Sequence, residues 1–288
     1  TISVWVKMHP EYDNSLISNH TDTNNRIYFS LGSGGNATFS VYGKLSGSQL
    51  VYLQTTKFFR DPSAWYHVVL AYDTTQVTDT NRFKLYINGV QYTWDSATDQ
   101  PAQDAVIRFN GEDNLNIGRR YTTTYNSPFS GYMSEFFFID GTPYAASDFA
   151  SADSTSGIWK PNLAPSVTYG NNGFLLKFEN SGSSAAAGNF GSDSSGNDNH
   201  LTSYNLGSHP NVTDTPENNF CIINSAFKND LTSIEDGATF QTETGGWASI
   251  PCTIGLHQGK WYWEYYLERI GNWNQTGIIS AQEANDIS

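Results

Sequence analysis

Arg82-Phe-Lys-Leu-Tyr-Ile-Asn88-Gly89-Val-Gln-Tyr-Thr-Trp94 decides the fold class, because an Asn-Gly pair sits between two runs in which apolar and polar residues alternate. Asn-Gly supplies the two positive-φ residues of a type I′ turn, the turn whose twist matches that of two antiparallel strands. The expectation is a tight hairpin with Phe83, Leu85 and Ile87 on its buried face. The same period of two governs the start of the chain, where Ile2, Val4 and Val6 oppose Ser3, Trp5 and Lys7. It returns where Trp65, His67, Val69 and Ala71 oppose Tyr66, Val68, Leu70 and Tyr72. Both faces of that run are apolar, so it reads as a central strand covered on both sides. Further strands are expected at residues 26–31, 38–42, 49–55, 106–109, 115–117 and 131–139, between clusters of Gly, Asn, Asp and Pro. Short strands at this spacing predict an all-β protein, a sandwich of two antiparallel sheets, with helix confined to a turn at residues 144–149.

Composition agrees. Tyr (17), Phe (17) and Trp (8) make up 15% of the 288 residues, and the chain is long enough for two domains with real cores. The net charge is −13, and the 15 Lys and Arg form no basic stripe, which excludes nucleic acid as the expected partner. Cys221 and Cys252 are the only cysteines, so disulfides do not organise the fold; a single bridge between them stays open. Neither an apolar stretch of spanning length nor a basic-then-apolar leader occurs, so no membrane insertion is expected. The chain opens on Thr1 inside a strand and stops at Ser288 in mid-pattern, as a piece of a longer polypeptide would.

Three regions follow. Residues 1–150 hold the first sandwich, and residues 151–219 read as a linker with one apolar strand at 174–179. A second β region fills residues 220–288 and culminates in Gly259-Lys-Trp-Tyr-Trp-Glu-Tyr-Tyr-Leu-Glu268. The strand at 174–179 either returns to complete the first sandwich or is a vestigial repeat; the first is preferred, because a lone strand leaves an open edge.

Trp65-Tyr-His67, Leu85-Tyr-Ile-Asn-Gly89, Asn116-Ile-Gly118 and Phe129-Ser-Gly131-Tyr-Met-Ser-Glu-Phe-Phe-Phe-Ile139 occur in an order that resembles laminin-G-like domains of the concanavalin A-like jelly-roll superfamily. Four further stretches are similar to the version found in tailed-phage virion proteins: Arg60-Asp-Pro-Ser-Ala-Trp-Tyr-His67, Ile139-Asp-Gly141, Gly157-Ile-Trp-Lys-Pro161 and Asp193-Ser-Ser-Gly-Asn197. Residues from about 245 onward resemble the opening of a SPRY domain, a β-sandwich used for protein recognition, through Gly259-Lys-Trp-Tyr-Trp-Glu264.

The resemblance sets the site expectations. Concanavalin-fold glucanases carry Glu-x-Asp-x-x-Glu on one strand, which sets alternate carboxylates into one cleft, and this chain has no such triplet, so no enzyme activity is expected. His67 reads as a satisfied core histidine of the family's Trp-x-His rather than a catalyst. Calcium, which the superfamily often binds, would use the oxygen-rich residues Asp140, Asp193, Asn197 and Asp198; against it, the residue before Glu135 is Ser134 where relatives often carry Asp. Glycan contact is expected from loops at one edge, through Asn110, Asp113, Asn114, Tyr121 and Tyr125, with Trp94 as a further ring. The resemblance implies a non-enzymatic bacteriophage virion protein (tail fibre, head fibre or decoration protein) meeting other virion proteins and host surface polysaccharide. Homo-oligomers would form through regions outside these residues. A bacterial cell-surface adhesin and a polysaccharide depolymerase are the alternatives.

Overall fold

The computed structural model describes residues 1–8, 14–31, 38–59, 61, 63–111, 115–121, 126–204, 206, 211–224, 232–235, 239–242, 250–256, 258–266 and 277–278. They fall into two compact units, Thr1–Asn219 and Phe220–Ser288.

The first unit is a sandwich of two six-stranded antiparallel sheets. One sheet runs β16 (Phe174–Leu176), β13 (Gly131–Phe138), β1 (Ile2–Met8), β6 (Tyr66–Tyr72), β7 (Phe83–Ile87) and β8 (Val90–Tyr92). The other runs β10 (Leu115–Ile117), β2 (Asn14–His20), β3 (Arg26–Leu31), β4 (Phe39–Leu45), β5 (Ser48–Gln54) and β9 (Ser96–Asp99). Alternation packs Ile2, Val4, Val6, Val68, Leu70, Leu85 and Phe136 of the first sheet against Ile27, Phe29, Val41, Val51 and Leu53 of the second. The Asn-Gly hairpin forms as expected: β7 and β8 pair across Asn88 (φ 49°) and Gly89 (φ 82°).

The first sheet is covered on its outer face as well, as the two apolar sides of β6 foretell. Val69, Phe137 and Leu175 pack there with Ile139, Ala146 and Phe149. A hairpin of β14 (Ala150–Ala152) and β15 (Trp159–Pro161) lays Trp159 over the Asn-Gly turn, where a Cβ on Gly89 would lie 2.8 Å from the indole ring. The strand at 174–176 pairs antiparallel with β13, setting Phe174 opposite Phe138. Their rings stack with centroids 5.2 Å apart. The described residues between 151 and 219 thus group with the first unit, and the strand at 174–176 lies at the edge of its sheet.

One expected strand is absent. Residues 106–109 have no ladder partner and end in a 3-10 turn, Arg108–Asn110. Ile107 and Phe109 are buried, so the alternating pair anchors a loop in the core; burial at i and i+2 does not require a ladder.

In the second unit β17 (Thr232–Glu235) pairs with β18 (Thr239–Thr242), and Ile223 bridges Cys252. The aromatic strand expected at 259–268 is not formed over its described part, residues 259–266. A strand exists through its ladder, and with no described segment pairing there Trp261, Tyr262, Trp263, Tyr265 and Tyr266 stay exposed. Cys221 and Cys252 are neighbouring free thiols, and the hydrogen bond with Cys221, aided by burial, holds the Cys252 thiol above the usual range. No described helix is long and apolar enough to cross a membrane.

Candidate functional site

The two sheets differ in what covers them. Beyond the Arg119–Pro128 margin, the outer face of the second sheet carries a row of rings where the alternation calls for polar side chains. Tyr28, Tyr42 and Tyr52 are directly opposite one another on β3, β4 and β5. The register continues to Ser18 and Asn116 on one side and to Asp99 on the other, so one line crosses the whole sheet. Tyr28 and Tyr42 stack with centroids 5.3 Å apart, and Tyr52 meets Tyr42 edge-on at 5.7 Å. All three rings are half-buried, which leaves part of each accessible.

Guanidinium groups sit over two of these rings: Arg26 lies 5.3 Å from the Tyr42 centroid and Arg120 lies 4.2 Å from that of Tyr28. Arg120 comes from a hairpin of β11 (Arg119–Tyr121) and β12 (Asn126–Pro128). The Ser18 hydroxyl donates to the Arg119 carbonyl at 2.7 Å, which holds the hairpin against β2 as a wall at one margin of the row. At the other margin Gln49 hydrogen-bonds Asp99, and the Tyr52 hydroxyl donates to Gln54 at 3.5 Å. Beside the rings, His20 pairs across the strands with Arg26. The Nε2 of His20 and the Nε of Arg26 are buried without a hydrogen-bond partner. Burial and then the Arg26 charge lower the His20 pKa, which favours the neutral imidazole beside the two arginines.

The structure distributes the residues singled out in the sequence. Tyr121 lies in the wall strand β11, paired with Asn126, next to the tyrosine row. Asn110 closes the 3-10 turn, and Asn19 of β2 reaches the adjoining Gly111 carbonyl at 3.5 Å. Asp113, Asn114 and Tyr125 lie outside the described residues. Trp94 is not brought to this group. It precedes β9, at the far edge of the sheet from β10, and five strand spacings of roughly 4.8 Å separate the two edges. Its indole donates to the Phe83 carbonyl at 2.9 Å and packs on the core, so it serves as a packing ring.

Asp140 and Asn197 both hydrogen-bond to the turn at residues 170–173, while Asp193 binds Leu175 and its own loop. The Asp193 carboxylate accepts from the backbone N–H of Leu175, Ser195 and Asn199 and from the Ser195 hydroxyl. The Asn197 amide donates to the carbonyls of Gly170 and Gly173, and Asp140 accepts from the Asn172 side chain at 2.8 Å. Asp198 points outward, its side chain 91% exposed. Among the described residues no three His, Cys, Asp or Glu side chains group with metal-holding geometry.

His67 is fully buried and satisfied at both nitrogens. The Trp159 indole donates to Nδ1 at 3.0 Å, which leaves Nε2–H to donate to the Ser3 hydroxyl at 2.9 Å. Burial lowers its pKa to about 3, so it stays neutral in the fold. Glu135 sits in the left-handed region (φ 51°) where β13 bulges against β1, and burial pushes its carboxyl above the ordinary range.

The tyrosine row was missed by a reading that sought sugar contacts in loops. Its signal is present all the same, as a Tyr at the outward position of each of three consecutive strands.

Two antiparallel six-stranded sheets packed face to face define a lectin-type jelly-roll sandwich. Comparison with known families agrees: the family model Laminin_G_3, described as the concanavalin A-like lectin/glucanases superfamily, matches residues 1–147, and the chain belongs to that family. No curated protein matches the chain.

Proposed function

We propose that this chain is a non-catalytic display module of a bacteriophage particle that binds host surface polysaccharide across the outer face of its second sheet. The observation that carries the reading is the row Tyr28, Tyr42 and Tyr52 with Arg26 and Arg120 over two of its rings. With Tyr28 and Tyr42 stacked on each other and guanidinium groups over them, the half-exposed rings offer edges and hydroxyls to a sugar, Gln49 and Asp99 suit its hydroxyl groups, and Arg26 and Arg120 suit carboxylates, so a glycan bearing acidic sugars fits best. The superfamily's lectin and glucanase fold is compatible with carbohydrate binding. Support for the absence of catalysis is the buried, doubly bonded state of His67. The particle context rests on the phage-type stretches between Arg60 and Asn197, and the SPRY-like stretch from Gly259 suits contact with other virion proteins.

A glycan array probed with and without chelator tests the binding. Retention of an acidic polysaccharide is expected, and Tyr42→Ala should weaken it roughly tenfold, about 1.4 kcal/mol. A wild-type chain that retains no glycan overturns the binding, and purified particles that lack this polypeptide overturn the setting.

A further inference from the structure

Lys7 is the least expected residue of the first sheet. Alternation along β1 turns it to the outer face in line with Ser3 and Trp5, across the ladder from Tyr132, and there it is 1% exposed. Its Nζ lies 2.8 Å from Asp214 Oδ2 and 2.8 Å from Asn219 Oδ1, groups 207 and 212 residues away. The Asp214 carboxylate is wholly enclosed. The Asn219 carboxamide is held at both ends, since its Nδ2 donates to the Ser63 carbonyl at 2.9 Å. A buried amine and a buried carboxyl group thus meet the fixed amide of Asn219, a residue exposed to solvent.

Nucleophile, proton carrier and electrophile are the parts of an acyl transfer. The geometry points to an intramolecular isopeptide bond between Lys7 Nζ and Asn219 Cγ, assisted by Asp214. Asp214 takes a proton from the Lys7 ammonium, and the freed lone pair attacks Cγ, whose oxygen takes up the carbonyl electron pair. The tetrahedral centre collapses, the Cγ–Nδ2 bond breaks, and Nδ2 leaves as ammonia with a proton handed on by Asp214. Of the three protons on Nζ, one stays on the new amide, one departs on the ammonia and one remains on Asp214 until ammonia or water removes it. Nothing is oxidised or reduced, and no co-reactant is needed. Burial of Lys7 beside Asp214 favours the proton transfer that frees the amine, since a low-dielectric site disfavours the charged pair, and the solvent-facing side of Asn219 gives the ammonia its way out. The product joins β1 to the last residue of the first unit and closes it into a covalent ring.

Intact-mass measurement of the full 288-residue chain under denaturing conditions tests this. The expected mass is one ammonia, about 17 Da, below that of the sequence, with digestion yielding a branched peptide joined through Lys7 and Asn219. Lys7→Arg and Asp214→Asn should each restore the sequence mass. An unshifted mass in the folded wild type overturns the proposal whether or not the variants fold. Ammonia loss without a branch at Lys7, or loss of water with a branch at Asp214, overturns it equally.

Discussion

Protonating His67 would turn Nδ1 from an acceptor into a donor facing the Trp159 indole N–H, at a fully buried ring. The folded protein therefore holds this ring neutral down to about pH 3, while in the unfolded chain it takes up a proton near 6.5. Between these values the unfolded state binds more protons, so stability is intact above about pH 6.5 and falls as pH drops toward 3. The slope from this one group is about 1.4 kcal/mol per pH unit. Urea unfolding across pH 4 to 7 should show His67→Phe with the shallower dependence, carboxylates supplying the remainder in both proteins; equal slopes would refute the assignment. The Trp-x-His pattern was legible in the sequence, but its partner Trp159 was not, because 92 residues separate the two rings.

The Asn-Gly turn and the β14–β15 hairpin are a matched pair of elements. Gly89 is needed twice over, for its positive φ and because Trp159 occupies the space a side chain would fill. Gly89→Ala should cost about 2 to 3 kcal/mol, beyond the roughly 1 kcal/mol of backbone strain alone. In a background of Trp159→Ala the added cost should shrink to the backbone part, so a double-mutant cycle on denaturation midpoints separates the two. The turn could be read from two letters because its chemistry is local. The hairpin that covers it could not, since its few paired residues have no alternation long enough to reveal a strand. Residues 106–109 show the opposite error, where alternation without a partner produced a loop.

Across the whole molecule, the sandwich is complete only with the return of β16 to β13. A chain ending at residue 150 should expose the β13 edge and the Phe136 and Phe138 rings, and should aggregate, whereas a chain ending at Asn219 should stay monodisperse in size-exclusion chromatography. The two-sheet sandwich and most of its strands were legible, because period two marks them and turn residues mark the gaps, whereas β2 and β9 were not foreseen and the order of strands follows from long-range pairing. The tyrosine row was harder to see: it arises from registers between β3, β4 and β5, and three tyrosines spaced along a chain look like ordinary packing residues until the pairing aligns them. Calcium candidates were chosen by residue type, and a residue type does not disclose the backbone hydrogen bonds that Asp193 and Asn197 make in the fold.

The Lys7 tie to Asp214 and Asn219 also settles how the unit would carry a mechanical load. Tension applied between Thr1 and Asn219 runs along β1 to Lys7 and leaves through the tie, without passing through the other strands. β1 lies between β13 and β6, antiparallel to both, and the hydrogen bonds on each side stand across the direction of pull. With the load carried through β1 and the tie, those ladder bonds are neither sheared nor unzipped while the tie holds, so the rest of the sandwich stays folded under the pull.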